Sequence, residues 1–337
     1  MNAMHGGPDA LGVPLYDFST NANACGPCPQ AVAALLLCDA RYYPDPAYTV
    51  LRQQLADFHS VEAWRIVLAG SASEFIYRIT AWVQRSGART VRLPLHAYGD
   101  YAAAASAWGL DVVTHPQEAA LAWGCEPSSP LGQAQTEWTQ ASLMQRSDGV
   151  RVLDCAYAPL RLTGTSSLLG AQQNHLWQLW TPNKALGLTG VRGAYAIAPV
   201  SAQEAVIALN AMCPSWPLGA HAVAMLQTWL QPEAQNWLMQ SLEILRQWKQ
   251  RQLDLLQGLG WICLPSEANF FCAQPFGDAS DAAINTLTAA LTHLRHHGIK
   301  LRDAASFGLP GHVRLGVLPP AAQDALASAW KLFKDNQ

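Results

Sequence analysis

The sequence predicts an α/β protein: a mostly parallel sheet flanked by helices, followed by a smaller α+β lobe. Compact apolar runs alternate with segments of helical periodicity through roughly the first 200 residues. The pattern then gives way to one long amphipathic helix and a strand–helix–strand remainder of about 115 residues. The chain has 337 residues, half of them hydrophobic, enough for a sizeable core and more than one simple domain needs.

The elements follow in order. "PLYDFST" is a short extended segment leading into the polar turn "NANACGP". "CPQAVAALLLCD" and "YTVLRQQLADFHSV" carry helical periodicity. "RIVLAG" is a compact strand, stopped by "GSAS" and followed by the helix "EFIYRITAWVQR". "TVRLPL" is a strand, and "YAAAASAWG" a helix closed by Gly109. "DVVTH", "ALAWG", "GVRVLDCAY" and "LWQLWTP" are further short apolar runs, and "GAYAIAP" adds a strand. "AQNWLMQSLEILRQWKQRQLDLLQGL" is the long helix. After it come "WICLPS", "NFFCAQ", the helix "AAINTLTAALTHLRHHG", the strands "IKLRDA" and "HVRLGVL", and a closing helix "PAAQDALASAWKLF".

Composition narrows the function. Net charge is −3 with 13% charged residues, and no basic run or stripe suggests nucleic acid. No apolar stretch reaches a membrane span, and the N-terminus lacks a basic start and apolar signal region, so a cytoplasmic protein is expected. The eight cysteines are scattered, as for reduced thiols. Only Cys25-Gly26-Pro27-Cys28 resembles a thioredoxin-type redox motif, but no βαβ unit precedes it. The three histidines of "THLRHHG" lack accompanying Cys or carboxylate ligands and fit a helix C-terminus; no metal site is expected.

Four segments carry chemistry. In "LWTPNKALGLTGVRGAYAIAP", Lys184 is a candidate Schiff-base lysine and Arg192 a candidate phosphate ligand; a surface lysine and a loop arginine are the plain alternative. Asp154 ends the apolar strand of "VLDCAY", where it could pair with a protonated pyridine nitrogen or simply cap a turn. Ser71, Ala72 and Ser73 of "LAGSASEFIY" could form an anion nest at a helix N-terminus, or an ordinary N-cap. Tyr98 of "HAYGDY" could stack on a flat ring or pack in a core. Phosphate nest, stacking aromatic, pyridinium partner, lysine and phosphate arginine, in that order, suit pyridoxal 5′-phosphate.

The chain resembles the class I/II aminotransferase family of fold-type I pyridoxal-phosphate enzymes, over nearly residues 5 to 330. It is most similar to the threonine-phosphate decarboxylase branch of cobalamin biosynthesis, a relative of histidinol-phosphate aminotransferase. The resemblance rests on "HGG", "DFSTNAN", "YPDPAY", "LAGSASEFIY", "HAYGDY", "LDCAY", the Lys184–Arg192 segment, "MCPSWPLGAHA", "EANFF" and "LRDAASFG…VRLGV". It implies a large domain with a seven-stranded, mostly parallel sheet over residues 41–220. Residues 1–40 would be an N-terminal arm and part of the small domain, and 221–337 the small C-terminal domain. It implies that Lys184 holds the cofactor and moves protons at the substrate α-carbon. Asp154 would face the pyridine nitrogen and Tyr157 the phenolic oxygen. Ser71, Ala72, Ser73, Thr181 and Arg192 would surround the phosphate. Tyr43 would reach the site of a partner subunit, implying a homodimer. Arg314 would hold the substrate carboxylate, with Arg302, His5 and Asn23 around the remainder of a small, phosphorylated amino-acid substrate.

The chain also departs from the family pattern. Ser129, in "EPSSPLG", stands where an asparagine usually bonds the phenolic oxygen, and Cys155 stands in the usual "D-E-A". Gly70-Ser71 replaces Asn-Gly, Thr181-Pro182-Asn183 replaces Ser-Leu-Thr, and the span from Tyr101 to Asp154 is short. The expected activity is decarboxylation of L-threonine O-3-phosphate to aminopropanol phosphate. The alternatives are an aminotransferase acting on a phosphorylated or other small amino-acid substrate, a catalytically weakened binder of the cofactor or a partner, and a redox protein using Cys25 and Cys28.

Overall fold

The computed structural model describes residues 6–115, 118–135, 138, 149–168, 170–277 and 280–336. Its central sheet has the order β2-β8-β7-β6-β5-β3-β4. The strands are β2 (Ile66–Ala69), β3 (Thr90–Arg92), β4 (Asp111–Val112), β5 (Leu121–Cys125), β6 (Val150–Asp154), β7 (Trp177–Trp180) and β8 (Ala194–Ile197). Neighbours from β4 to β7 run parallel, while β8 is antiparallel to both β2 and β7. The sheet is thus mostly parallel and seven-stranded, of the α/β class expected. β2 and β8 are buried throughout, which accounts for their continuous apolar runs rather than alternation.

Helices α1 (Pro29–Leu37), α2 (Thr49–His59), α3 (Ala72–Arg85) and α4 (Gly99–Ala107) lie in the first part of the chain. α3 starts on a serine N-cap: Ser71 Oγ accepts from the Glu74 N–H at 3.1 Å, while a Glu74 carboxylate oxygen reaches past it to accept from the Gly70 N–H at 3.2 Å. α5 (Gly170–Gln173) is a single turn before β7. α6 (Gln203–Ala211) and α7 (Ala220–Trp229) were not anticipated from the sequence. Each is about three turns long and lies close to the punctuating prolines Pro214 and Pro217, so no extended periodicity marks it.

α8 (Pro232–Gly258) is the long helix, beginning at a proline in its first turn. Beyond it a second sheet has the order β12-β13-β10-β9, built from β9 (Ile262–Cys263), β10 (Phe270–Gln274), β12 (Arg302–Asp303) and β13 (Val313–Gly316). The run "IKLRDA" is two strands, not one. β11 (Ile299–Lys300) pairs in parallel with β1 (Tyr16–Asp17), whereas β12 pairs with β13. The N-terminal arm is thereby tied to the C-terminal part of the fold. α9 (Asp281–His296) and α10 (Pro320–Asp335) complete it. Among the described residues, no helix is long and apolar enough to cross a membrane.

Candidate active site

A cleft of about 580 Å³ opens where the carboxyl ends of β5, β6 and β7 meet the N-termini of α3 and α4. That is where a parallel α/β sheet gathers ligands. Ser71, Ala72, Ser73, Tyr98, Ser129, Asp154, Tyr157, Thr181, Lys184, Arg192, Arg302 and Arg314 all line it. Of the other three candidates, the two described ones do not. His5 lies outside the described residues. Tyr43 is 77% exposed and stacks on Trp216 with ring centres 4.4 Å apart. Asn23 is buried, but its amide donates to the Ala185 carbonyl at 3.1 Å and its oxygen accepts from the Cys25 N–H at 3.0 Å. It braces the lysine loop from behind.

The asparagine that does face the cleft is Asn21, two residues earlier. Its Nδ2 donates to the Tyr157 hydroxyl at 3.3 Å, and its buried Oδ1 has no partner. The repeat "N-A-N" offers both residues, and alternation along an extended arm does not separate positions two apart. Thr189, Ser306 and Phe307 also line the cleft without having been singled out. Tyr101, three residues after Tyr98, was not singled out either; its hydroxyl donates to Asp154 Oδ2 at 2.7 Å. The i, i+3 spacing of the N-cap Tyr98 and Tyr101 at the start of α4 was the available signal.

Lys184 lies in a tight loop between β7 and β8. Its Nζ is 3.4 Å from Thr181 Oγ1 and 5.3 Å from the centre of the Tyr157 ring. Asn183 clamps this loop to the Arg192 segment, donating to the Val191 carbonyl at 3.2 Å. From the other side, the Asn23 N–H donates to the Lys184 carbonyl at 2.9 Å and the Cys28 N–H to that of Leu186 at 2.8 Å. Gly187 makes the approach possible: its φ is +68°, and a Cβ there would come within 2.6 Å of the Gly26 carbonyl oxygen. The Cys25–Cys28 turn is therefore a buttress for the lysine loop. The two thiols are free and turn to different groups, Cys25 to the Ser241 carbonyl and Cys28 to the Gln30 side chain. Burial raises the Cys25 pKa, the reverse of what a redox thiol needs.

Asp154 is buried at the end of β6. Burial pushes its pKa up, opposed by the Tyr101 hydroxyl, the charge of Lys184 and the Ala156 N–H. On the other wall, Arg302 and Arg314 stand opposite each other in the β12–β13 register. Both guanidinium groups lie over the Phe307 ring, at 4.9 and 5.4 Å. Arg302 donates to Ser306 Oγ at 2.8 Å; burial, then Arg314's like charge, lower its pKa. Arg314 donates to Ser129 Oγ at 3.3 Å and to the Ser19 carbonyl at 2.9 Å, while its Nε is buried and unpartnered.

A family model described as aminotransferase class I and II matches residues 13–329. The chain belongs to that family. Class I/II members are pyridoxal-phosphate enzymes, and this chain is an aminotransferase-like enzyme whose cofactor is pyridoxal 5′-phosphate. Among its relatives, histidinol-phosphate aminotransferase of Jannaschia sp. (strain CCS1) is 27% identical over 325 residues, covering 90% of this chain and 87% of the relative. The crystal structure of L-threonine-O-3-phosphate decarboxylase from Porphyromonas gingivalis superimposes with a TM-score of 0.80 at 22% identity, covering 95% of this chain and all of that one. Histidinol-phosphate aminotransferase from Sinorhizobium meliloti, in complex with pyridoxal-5′-phosphate, also gives 0.80, at 21% identity, with coverage of 94% and 90%.

The cleft of this aminotransferase-family enzyme suits the cofactor chemically. An amine, a buried carboxylate, a phenol hydroxyl and the hydroxyl-rich start of a helix converge on one space, with Arg192 at its edge. Two buried side-chain oxygens lining that space, Asn21 Oδ1 and Asn183 Oδ1, have no hydrogen-bond partner.

Proposed function

We propose that the enzyme acts on a small amino acid carrying a phosphate, L-threonine O-3-phosphate, and releases its α-carboxylate as CO₂ to leave aminopropanol phosphate. The observation that carries this is the charge of the cleft. Among the described residues, Lys184, Arg192, Arg302 and Arg314 line it, against a single carboxylate, Asp154. With Arg192 given to the cofactor phosphate, two buried arginines remain, a fitting complement to a substrate with two anionic ends. Relatives named for histidinol-phosphate and threonine-phosphate chemistry support a phosphorylated substrate.

Bound pyridoxal phosphate supplies an electron sink for the pair released at the substrate α-carbon. The protein supplies the remainder. Ser71, Ala72, Ser73, Thr181 and Arg192 would hold its phosphate end, Tyr98 its ring, Tyr157 and Ser129 its phenolic oxygen, and Asp154 its nitrogen. Lys184 would hold the cofactor and move a proton at the substrate α-carbon. Arg314 and Arg302 would orient the substrate by its two anionic ends. We assign Asn21, in place of Asn23, to the substrate side of the cleft.

Tyr43 lies outside its own cleft, on a stretch of chain where Leu36, Leu37 and Tyr42 are also exposed, which supports a homodimer in which it completes the partner's site. The second reading is an aminotransferase acting on a phosphorylated substrate, favoured by the names of the sequence relatives. Purified protein, pyridoxal phosphate and threonine phosphate should yield CO₂ with no keto acid. Formation of keto acid, with conversion of the cofactor to its amine form, would overturn the decarboxylase reading.

A further inference from the structure

The turn that follows Asp154 fixes only one of its oxygens, and the other is held from a distant element. The Ala156 N–H donates to Oδ1 at 2.9 Å, and the Tyr101 hydroxyl donates to Oδ2 at 2.7 Å. The Tyr101 ring is itself immobilised. It is 1% exposed and stacks on Trp123 with centres 4.5 Å apart and planes 11° from parallel, while Tyr98 meets its edge at 5.8 Å. Trp123 is two residues before Cys125, the register partner of Asp154 across β5 and β6. One strand pair thus carries both the carboxylate and the platform for the phenol that grips it.

We propose that Tyr101 is a positioning residue: its hydroxyl holds the Asp154 carboxylate in one orientation toward the cofactor, so that Trp123, Tyr101 and Asp154 act as a relay of contacts behind the ring. The proposal rests on the reading of Asp154 as the group facing the cofactor nitrogen. Full burial raises the Tyr101 pKa well above the ordinary phenol, so the hydroxyl keeps its proton and acts as donor. The other titratable groups bearing on Asp154 are Lys184, Cys125 and its chain neighbour Cys155. Burial keeps both thiols protonated, leaving Lys184 as the only charge among them, so the Tyr101 hydrogen bond is the separable contribution.

Removing the hydroxyl in Tyr101→Phe leaves a buried carboxylate with one donor. Asp154 should then take up a proton at higher pH, by about one to two units, the range expected for one hydrogen bond to a charged group. Asp154 is titrated by NMR in the full chain labelled with ¹³C-aspartate, its signal assigned by loss in Asp154→Asn. Tyr101→Phe is expected to move that titration upward. In the cofactor-loaded enzyme it should weaken cofactor retention and shift the acid limb of the activity profile in the same direction. Trifluorotyrosine at position 101 keeps the ring shape with a stronger donor, and is expected to move the Asp154 titration down; this variant decides the matter if Tyr101→Phe does not fold. An unchanged Asp154 titration in either folded variant overturns the proposal. Because the titration is read without added cofactor, it is separable from the cofactor reading, which fails instead if the unaltered protein does not bind pyridoxal phosphate.

Discussion

Lys184 and Arg314 make the residue-scale predictions sharpest. With its amine 3.4 Å from the Thr181 hydroxyl, Lys184 is placed to deliver a proton into the cleft, and Lys184→Ala should lower turnover by about 10³-fold or more. Arg314→Gln removes a charged donor from the substrate wall. It should raise KM by roughly 10- to 100-fold, the loss expected for one charge-assisted hydrogen bond, measured by steady-state kinetics on threonine phosphate. The two asparagines of the arm should separate cleanly. Asn23→Ala is expected to lower the melting temperature, because it removes the brace on Ala185 and Cys25. Asn21→Ala should instead impair catalysis with little change in melting. Chemistry-bearing residues could be recognised because the serine nest, Tyr98, Asp154, Lys184 and Arg192 follow one another in an order that suits one cofactor, although each alone has a plain alternative. Which of two asparagines faces the cleft was not legible, since that depends on how the arm lies against the lysine loop. Tyr101 was missed for the same reason: its partner Asp154 is 53 residues away.

At the element scale, the two turns that aim the site are sensitive to small changes. Gly187→Ala places a methyl against the Gly26 carbonyl at a φ of +68°; it should cost about 1–3 kcal/mol of stability, read by denaturant unfolding. β2 and β8 were legible because fully buried strands are unbroken apolar runs, and α3 because helical periodicity follows a serine N-cap. What local pattern does not hold is the partner of a strand. β8 has the same apolar character as its neighbours yet runs antiparallel, and β11 and β12 share one run of sequence but belong to different sheets. α6 and α7 show the limit for helices of about three turns, whose stability comes from packing rather than from a long periodic face.

Over the whole molecule, α2 and the large sheet are coupled by His59, whose Nε2 lies 2.8 Å from the Tyr195 hydroxyl of β8. Burial lowers the His59 pKa from 6.5 to about 4. The unfolded chain therefore binds the extra proton first, so stability falls as pH drops from 6.5 toward 4 and is regained on raising it. A His59→Gln variant should show a flatter melting temperature over that window. Assembly offers an equally direct test of Tyr43. If it completes the partner's cleft, mixing inactive Tyr43→Ala and Lys184→Ala proteins should restore part of the activity through hybrid dimers, each with one intact site. The central claim, that Lys184 is the residue on which the cofactor is seated, is tested most directly by the absorption spectrum of purified protein with pyridoxal phosphate, recorded again for Lys184→Ala. The unaltered protein should show a visible band distinct from free cofactor that the variant lacks; the same band in both would contradict it.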